Sequence, residues 1–74
     1  MRFFTRVIPV EFDPDVDAAV LRIGDLPKPR EFVDIPIDVR GSTVGIMTFA
    51  TSGRLVQIEL LAASIQIPQL LSYE

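Results

Sequence analysis

Between residues 32 and 40 apolar and polar positions alternate, with Val33, Ile35, Ile37 and Val39 set against Asp34, Pro36, Asp38 and Arg40. Period two is the mark of a half-buried strand. Pro36 has no amide to give to a ladder, so its nitrogen should face away from a neighbouring strand or toward a sheet edge. Gly41 and Ser42 then mark a turn into a strand over 43–50, rich in β-branched and aromatic residues, which Thr51-Ser52-Gly53 closes. Gly53 is the natural left-handed position of that turn. Over 54–61 the alternation returns, with Val56, Ile58 and Leu60 opposed to Leu55, Gln57 and Glu59. These three runs predict a meander.

The front of the chain alternates more loosely. Ile8, Val10 and Phe12 share one side of a strand over 4–12, near an edge. Residues 13–24 fit two templates. Asp13 as N-cap, Pro14 at the first position, early acids, Arg22 near the end and Gly24 beyond it fit a helix. A turn over 13–17, with Ala19, Leu21 and Ile23 alternating against Val20 and Arg22, fits a strand. Local propensity favours the helix slightly, because consecutive alanines are poor strand formers. The run 24–31, with Pro27 and Pro29, reads as an exposed loop. Ser64 to Ile67 extends the sheet in this scheme, and Pro68 opens a short helix carrying Leu70 and Leu71. The expected fold is mainly β, a small antiparallel meander of about five strands with a short C-terminal helix. Residues 1–74 make a single domain, with no repeat or internal boundary.

Composition changes this picture in one respect. A chain of 74 residues buries only about 60% of its unfolded surface, and chains this short commonly add disulfides, a metal or a partner subunit. Cysteine and histidine are both absent, which removes disulfides, Cys/His zinc sites, thiolate nucleophiles and imidazole bases. No cofactor or metal is expected. Oligomerisation is the remaining staple. With 49% hydrophobic residues and a mean hydropathy of +0.38, some apolar surface should meet another chain. The strand over 43–50 is the best candidate, since Met47 and Phe49 oppose Val44 and Ile46 and make both its faces apolar. Met47, Phe49, Leu70 and Leu71 are therefore the expected oligomer interface.

Charge argues against a polyanion as principal ligand. A net charge of −3 and scattered basic residues, with Arg2/Arg6 and Lys28/Arg30 the only close pairs, argue against nucleic acid. The N-terminus lacks a signal-peptide core, and no uncharged stretch reaches the about 18 apolar residues of a membrane span. A soluble, cytoplasmic protein is expected.

Two stretches together resemble a known family. They are Phe12-Asp13-Pro14-Asp15-Val16-Asp17-Ala18-Ala19-Val20-Leu21-Arg22-Ile23 and Ser52-Gly53-Arg54-Leu55-Val56-Gln57-Ile58-Glu59-Leu60-Leu61-Ala62-Ala63-Ser64. The chain resembles a divergent member of the small prokaryotic domain-of-unknown-function family 2283. Its pattern is Tyr-Asp-x-x-x-Asp-Ala-Leu-Tyr-Ile followed by Asp-x-x-Gly-x-x-x-Gly-Ile-Glu-Ile-Leu-x-Ala-Ser. The matching positions are Asp13, Asp17 and Ala18, then Gly53, Ile58, Glu59, Leu61, Ala63 and Ser64. Phe12 and Val20 stand where the family favours tyrosine, Ala19 replaces a large aliphatic residue, the acid before Gly53 is missing, and Gln57 replaces a glycine. The resemblance implies a hairpin turn over 13–17 and a strand over 18–23, which reverses the local preference. It brings no activity. Genes of such families often neighbour small toxin-like proteins, an association only.

Each candidate chemistry has a plainer explanation. Asp13, Asp15 and Asp17 have the spacing of the first calcium-loop ligands, but Ala18 and Gly24 stand where the loop needs Gly and a bidentate Glu. A turn whose carboxylates cap amides explains them. Glu59, on the face opposite Ile58 and Leu60, is expected to be solvated or paired with an arginine across a strand or interface. Nothing in the spacing joins it to Asp38 as an acid pair. The serines lack a base other than Lys28, and the glycines form no phosphate cradle. The expected role is a non-enzymatic homo-oligomeric domain acting through protein contacts. Its rivals are a partner-binding protein that neutralises a toxin-like neighbour and a carboxylate-dependent enzyme, which would need a concave pocket holding two or more acids.

Overall fold

The computed structural model describes residues 1–25, 28 and 31–71. Pro27, Pro29 and Arg30, named above, lie outside the described residues. Five strands, β1 (Val10–Asp13), β2 (Ala18–Arg22), β3 (Phe32–Val39), β4 (Ser42–Ala50) and β5 (Leu55–Leu61), precede a short helix α1 (Ala63–Gln66) and a 3-10 turn over Pro68–Leu71. The strands form one antiparallel sheet in the order β1-β2-β5-β4-β3.

This order is more than a meander. Strands β3, β4 and β5 follow one another through tight turns, as their alternation predicts, but β2 lies beside β5 rather than β3, which makes the last four strands a Greek key. Both described ends of the β2–β3 connection are anchored to the sheet. Ile23 and Gly24 donate to the Val56 carbonyl at 2.9 Å, and the Glu31 carbonyl accepts from Thr51 N at 3.1 Å. Period two fixes which residues are strands and is silent on which strand is the neighbour.

The turns follow from their residues. Arg40 (φ 52°) and Gly41 (φ 84°) link Val39 to its partner Ser42, and positive φ at both positions is the type I′ geometry that matches strand twist. The turn lies one residue earlier than Gly41-Ser42, because Arg40 accepts the left-handed conformation. Gly53 (φ 95°) takes the left-handed place after β4, donating to the Ala50 carbonyl at 2.8 Å. Residues 13–17 form a turn rather than a helix, with Asp13 Oδ1 accepting from Asp15 N at 2.9 Å.

Two expectations fail locally. The first strand begins at Val10 instead of residue 4. Its partner β2 ends at Arg22, whose amide bonds the Pro9 carbonyl at 3.0 Å, so nothing remains beyond Pro9 for residues 4–8 to pair with. Residues 64–67 do not extend the sheet. Ala62 turns left-handed (φ 49°) after β5, and α1 begins.

Asp17 makes that short helix possible. Its carbonyl accepts from Ala63 N at 2.9 Å, and its carboxylate accepts from Ser64 N and Ser64 Oγ at 2.9 and 2.8 Å. A residue 47 positions away thus satisfies amides that four residues of helix leave open. Gln66 Nε2 adds bonds to the Val44 and Leu61 carbonyls. Among the described residues no helix is long and apolar enough to cross a membrane.

Candidate interaction surface

Strand register sorts the side chains onto two faces, because residues directly opposite in neighbouring strands point the same way. One face carries Val10, Phe12, Ala19, Leu21, Ile58, Leu60, Gly45, Met47, Phe49, Val33, Ile35 and Ile37. Every one is apolar. The row Val10–Leu21–Ile58–Met47–Ile35 crosses all five strands through its middle.

Among the described residues no second layer covers the apolar face. On it Ala19 is buried, but Val10, Val33 and Ile35 are 44%, 49% and 47% exposed, and Met47, Phe49 and Ile58 are only half-buried. Over the whole chain the buried apolar residues are Ala19, Val56 and Ala63, among the described residues. A sheet needs a second layer against its apolar face, and one four-residue helix at the end of β2 does not supply it.

Dimensions measure the shortfall. The accessible surface is 6049 Å², against about 4,500 Å² expected for a compact monomer of 8.2 kDa. The radius of gyration is 13.8 Å, against about 11.3 Å expected at this length. Residues 1–9, all exposed, and the exposed residues of the apolar face both contribute to the excess.

The other face is mixed and largely self-satisfied. Arg22, Gln57, Thr48 and Asp34 stand opposite one another across four strands. Arg22 donates to Gln57 Oε1 at 2.8 Å and to Glu11 Oε1 at 3.1 Å, while Thr48 Oγ1 donates to Asp34 Oδ1 at 2.7 Å. Thr48 is buried in this row. Nearby, Thr43 Oγ1 donates to Asp38 Oδ1 at 2.6 Å. Period-two patterning placed these polar residues on one side; only the register puts them in line.

Both sheet edges are poor sites for adding a strand. β1 has four residues. In β3, Val39 and Ser42 close a two-residue turn and form a hydrogen-bonded pair, so alternation turns the Pro36 nitrogen toward the free edge, where it removes a donor.

The residues singled out from sequence separate into groups. Met47 and Phe49 lie on the apolar face, beside Ile58, a position the resemblance had marked. Leu70 is half-buried and Leu71 is 61% exposed on the 3-10 turn, which packs on α1 rather than joining that face. Asp13 caps the turn, Gly53 forms one, and Asp17 meets Ser64 at the α1 joint. Glu59 lies between Val20 and Ile46 on the mixed face, half-buried, and the ion pair found among the described residues, Arg22–Glu11, does not include it. Asp38, at the far edge with Thr43, does not meet it.

Glu59 does share an open depression of about 310 Å³ with Glu11, Phe12, Asp13, Val16, Ala18 and Val20. Three acidic and four apolar residues line it. Asp13 and Glu11 already accept from Asp15 N and Arg22, and no three acids converge on a cation position among the described residues. No hydroxyl lines the depression. Comparison with known proteins finds no matching family model, no matching curated protein and no matching solved structure.

Proposed function

We propose that the chain is a non-enzymatic, self-associating β domain whose apolar face is covered by the same face of a second copy. The observation that carries this is the row Val10–Leu21–Ile58–Met47–Ile35, five apolar side chains across five strands with no second sheet or long helix above them among the described residues. The chain exposes more surface than a compact monomer of its mass, and Val10, Val33 and Ile35 on this face contribute to that surplus together with residues 1–9. The blunted edges favour stacking faces over joining edges, with two sheets about 10 Å apart. A cysteine-free chain of this length takes its staple from a subunit, and the cytoplasm is the proposed compartment. Membership in family 2283 belongs to the same proposal. Asp17, Ala63 and Ser64, which carry the resemblance, share a structural joint, as suits a family without known chemistry.

Sedimentation equilibrium tests it. The expected mass is twice 8.2 kDa, and a folded species at 8.2 kDa up to high concentration would end the proposal. Recovery of a stoichiometric different protein from the native host, with no self-association, would favour the partner-neutralising role.

A further inference from the structure

Residues 1–9 are exposed throughout, and they are not a polar tail. Phe3, Phe4 and Val7 are 85%, 71% and 92% exposed, and Ile8 is 45% exposed. Arg6 stacks on the Phe4 ring at 5.4 Å and donates to the Thr5 carbonyl, so its contacts stay within the arm. Large side chains left this open on a single segment mark a contact surface. The arm holds two of the seven basic residues and none of the ten acids, which leaves the remainder of the chain at −5. Its chemistry is aromatic and cationic.

The depression on the mixed face has the complementary chemistry. Val16, Ala18 and Val20 give it an apolar lining, and Glu11, Asp13 and Glu59 give it an acidic one. Glu59 is half-buried there with no cation in reach among the described residues. A volume of about 310 Å³ admits an aromatic ring with a guanidinium beside it.

Reaching the depression of its own chain would require the arm to double back. β1 runs from Val10 toward the turn over 14–17, where the depression lies, so residues 1–9 lead away from it. Pro9 holds that exit, through its carbonyl on Arg22 N at 3.0 Å and through the extended geometry it imposes on Ile8. At about 3.3 Å per residue the arm spans about 30 Å, against about 10 Å between stacked sheets. It can pass round the edge of a facing copy without a reversal.

Resting on the self-association proposed above, we infer that residues 1–9 of one copy cross to the second and seat Phe4 in the depression between the 14–17 turn and strands β1, β2 and β5, with Arg6 meeting Glu59. The exchange is reciprocal, as a two-fold pair requires. The two copies stack with their β1 edges on the same side. Face-to-face burial supplies the area, and the arms set the register of the pair.

A mixing experiment separates crossing from folding back. Arg6→Glu and Glu59→Lys chains are prepared separately, and association is measured for each alone and for an equimolar mixture by sedimentation velocity. Each alone should associate at least about tenfold more weakly than the native chain, the scale of losing one charge partner. The mixture should return close to native affinity, because each arm then finds an opposite charge on the other chain. An arm folded on its own chain predicts no recovery, and a mixture as weak as its components overturns the inference. If Glu59→Lys does not fold, Phe4→Ala, which lies outside the fold, must weaken association to a similar degree; unchanged association overturns it. A native dimer that persists undiminished without residues 1–8 sinks the arm and spares the apolar face. A native chain at 8.2 kDa sinks both.

Discussion

Two faces of one sheet are built from the same strands and differ in what they leave unfinished. On the mixed face the polar side chains answer one another, from Glu11 through Arg22 to Gln57 and from Thr48 to Asp34, so removing any one of them disturbs its neighbours alone. On the apolar face no side chain has a directional partner, and the stabilising term is area removed from water, at about 25 cal/mol per Å². That area is not yet removed in the isolated chain. Adjacent positions on a strand, such as Met47 and Thr48, therefore differ in kind: unburied apolar area in one case, local bonding in the other.

Substitutions rank accordingly. Met47→Asp puts an uncompensated carboxylate into the proposed contact between copies, and association should weaken by about a hundredfold or more, read by sedimentation velocity. Equal association in the variant would break the contrast between the faces. Gly45→Ala is the next largest. A Cβ there would lie 2.8 Å from the Glu59 carbonyl oxygen, a backbone atom that cannot rotate away, and β4 and β5 must separate. About 1–3 kcal/mol of stability should be lost, measured by urea unfolding at a fixed protein concentration.

Smaller effects sharpen the other side. Thr48→Val removes the bond to Asp34 from a buried position and should cost about 0.5–1.5 kcal/mol, with the association constant unchanged at matched folded fraction. A shift in association would mean that the mixed face also takes part in the contact. Glu11→Gln breaks an ion pair whose side chains are 41% and 65% exposed, worth less than about 1 kcal/mol, and the loss should fade in high salt.

Much of the sheet was legible in the chain because alternation is a local property. Val33 to Val39 and Val56 to Leu60 show their inward side at a glance, and Gly53 announces a left-handed turn. The 13–24 segment was not legible by local rules. Asp13, Pro14 and Gly24 serve a helix and a hairpin equally well, and the choice rests on β5, which offers Ala18 to Arg22 a ladder to join. The apolar face of the sheet was legible in part. Met47 and Phe49 betray themselves by interrupting no polar pattern, whereas Leu70 and Leu71 look similar in sequence and sit elsewhere, on a turn against α1.

The amino-acid order alone determined β3, β4 and β5, their apolar sides, most of their turns and a surplus of apolar residues without covalent staples, since each depends on residue type and on spacing within a few positions. Tertiary structure decided that β2 lies beside β5, that Asp17 caps a helix beginning at Ala63, and that Glu59 shares a depression with Glu11 and Asp13. Those outcomes join residues tens of positions apart. Hydrophobic attraction is non-directional, so it fixes how much surface must be hidden; hydrogen-bond register and turn geometry choose the neighbours that hide it.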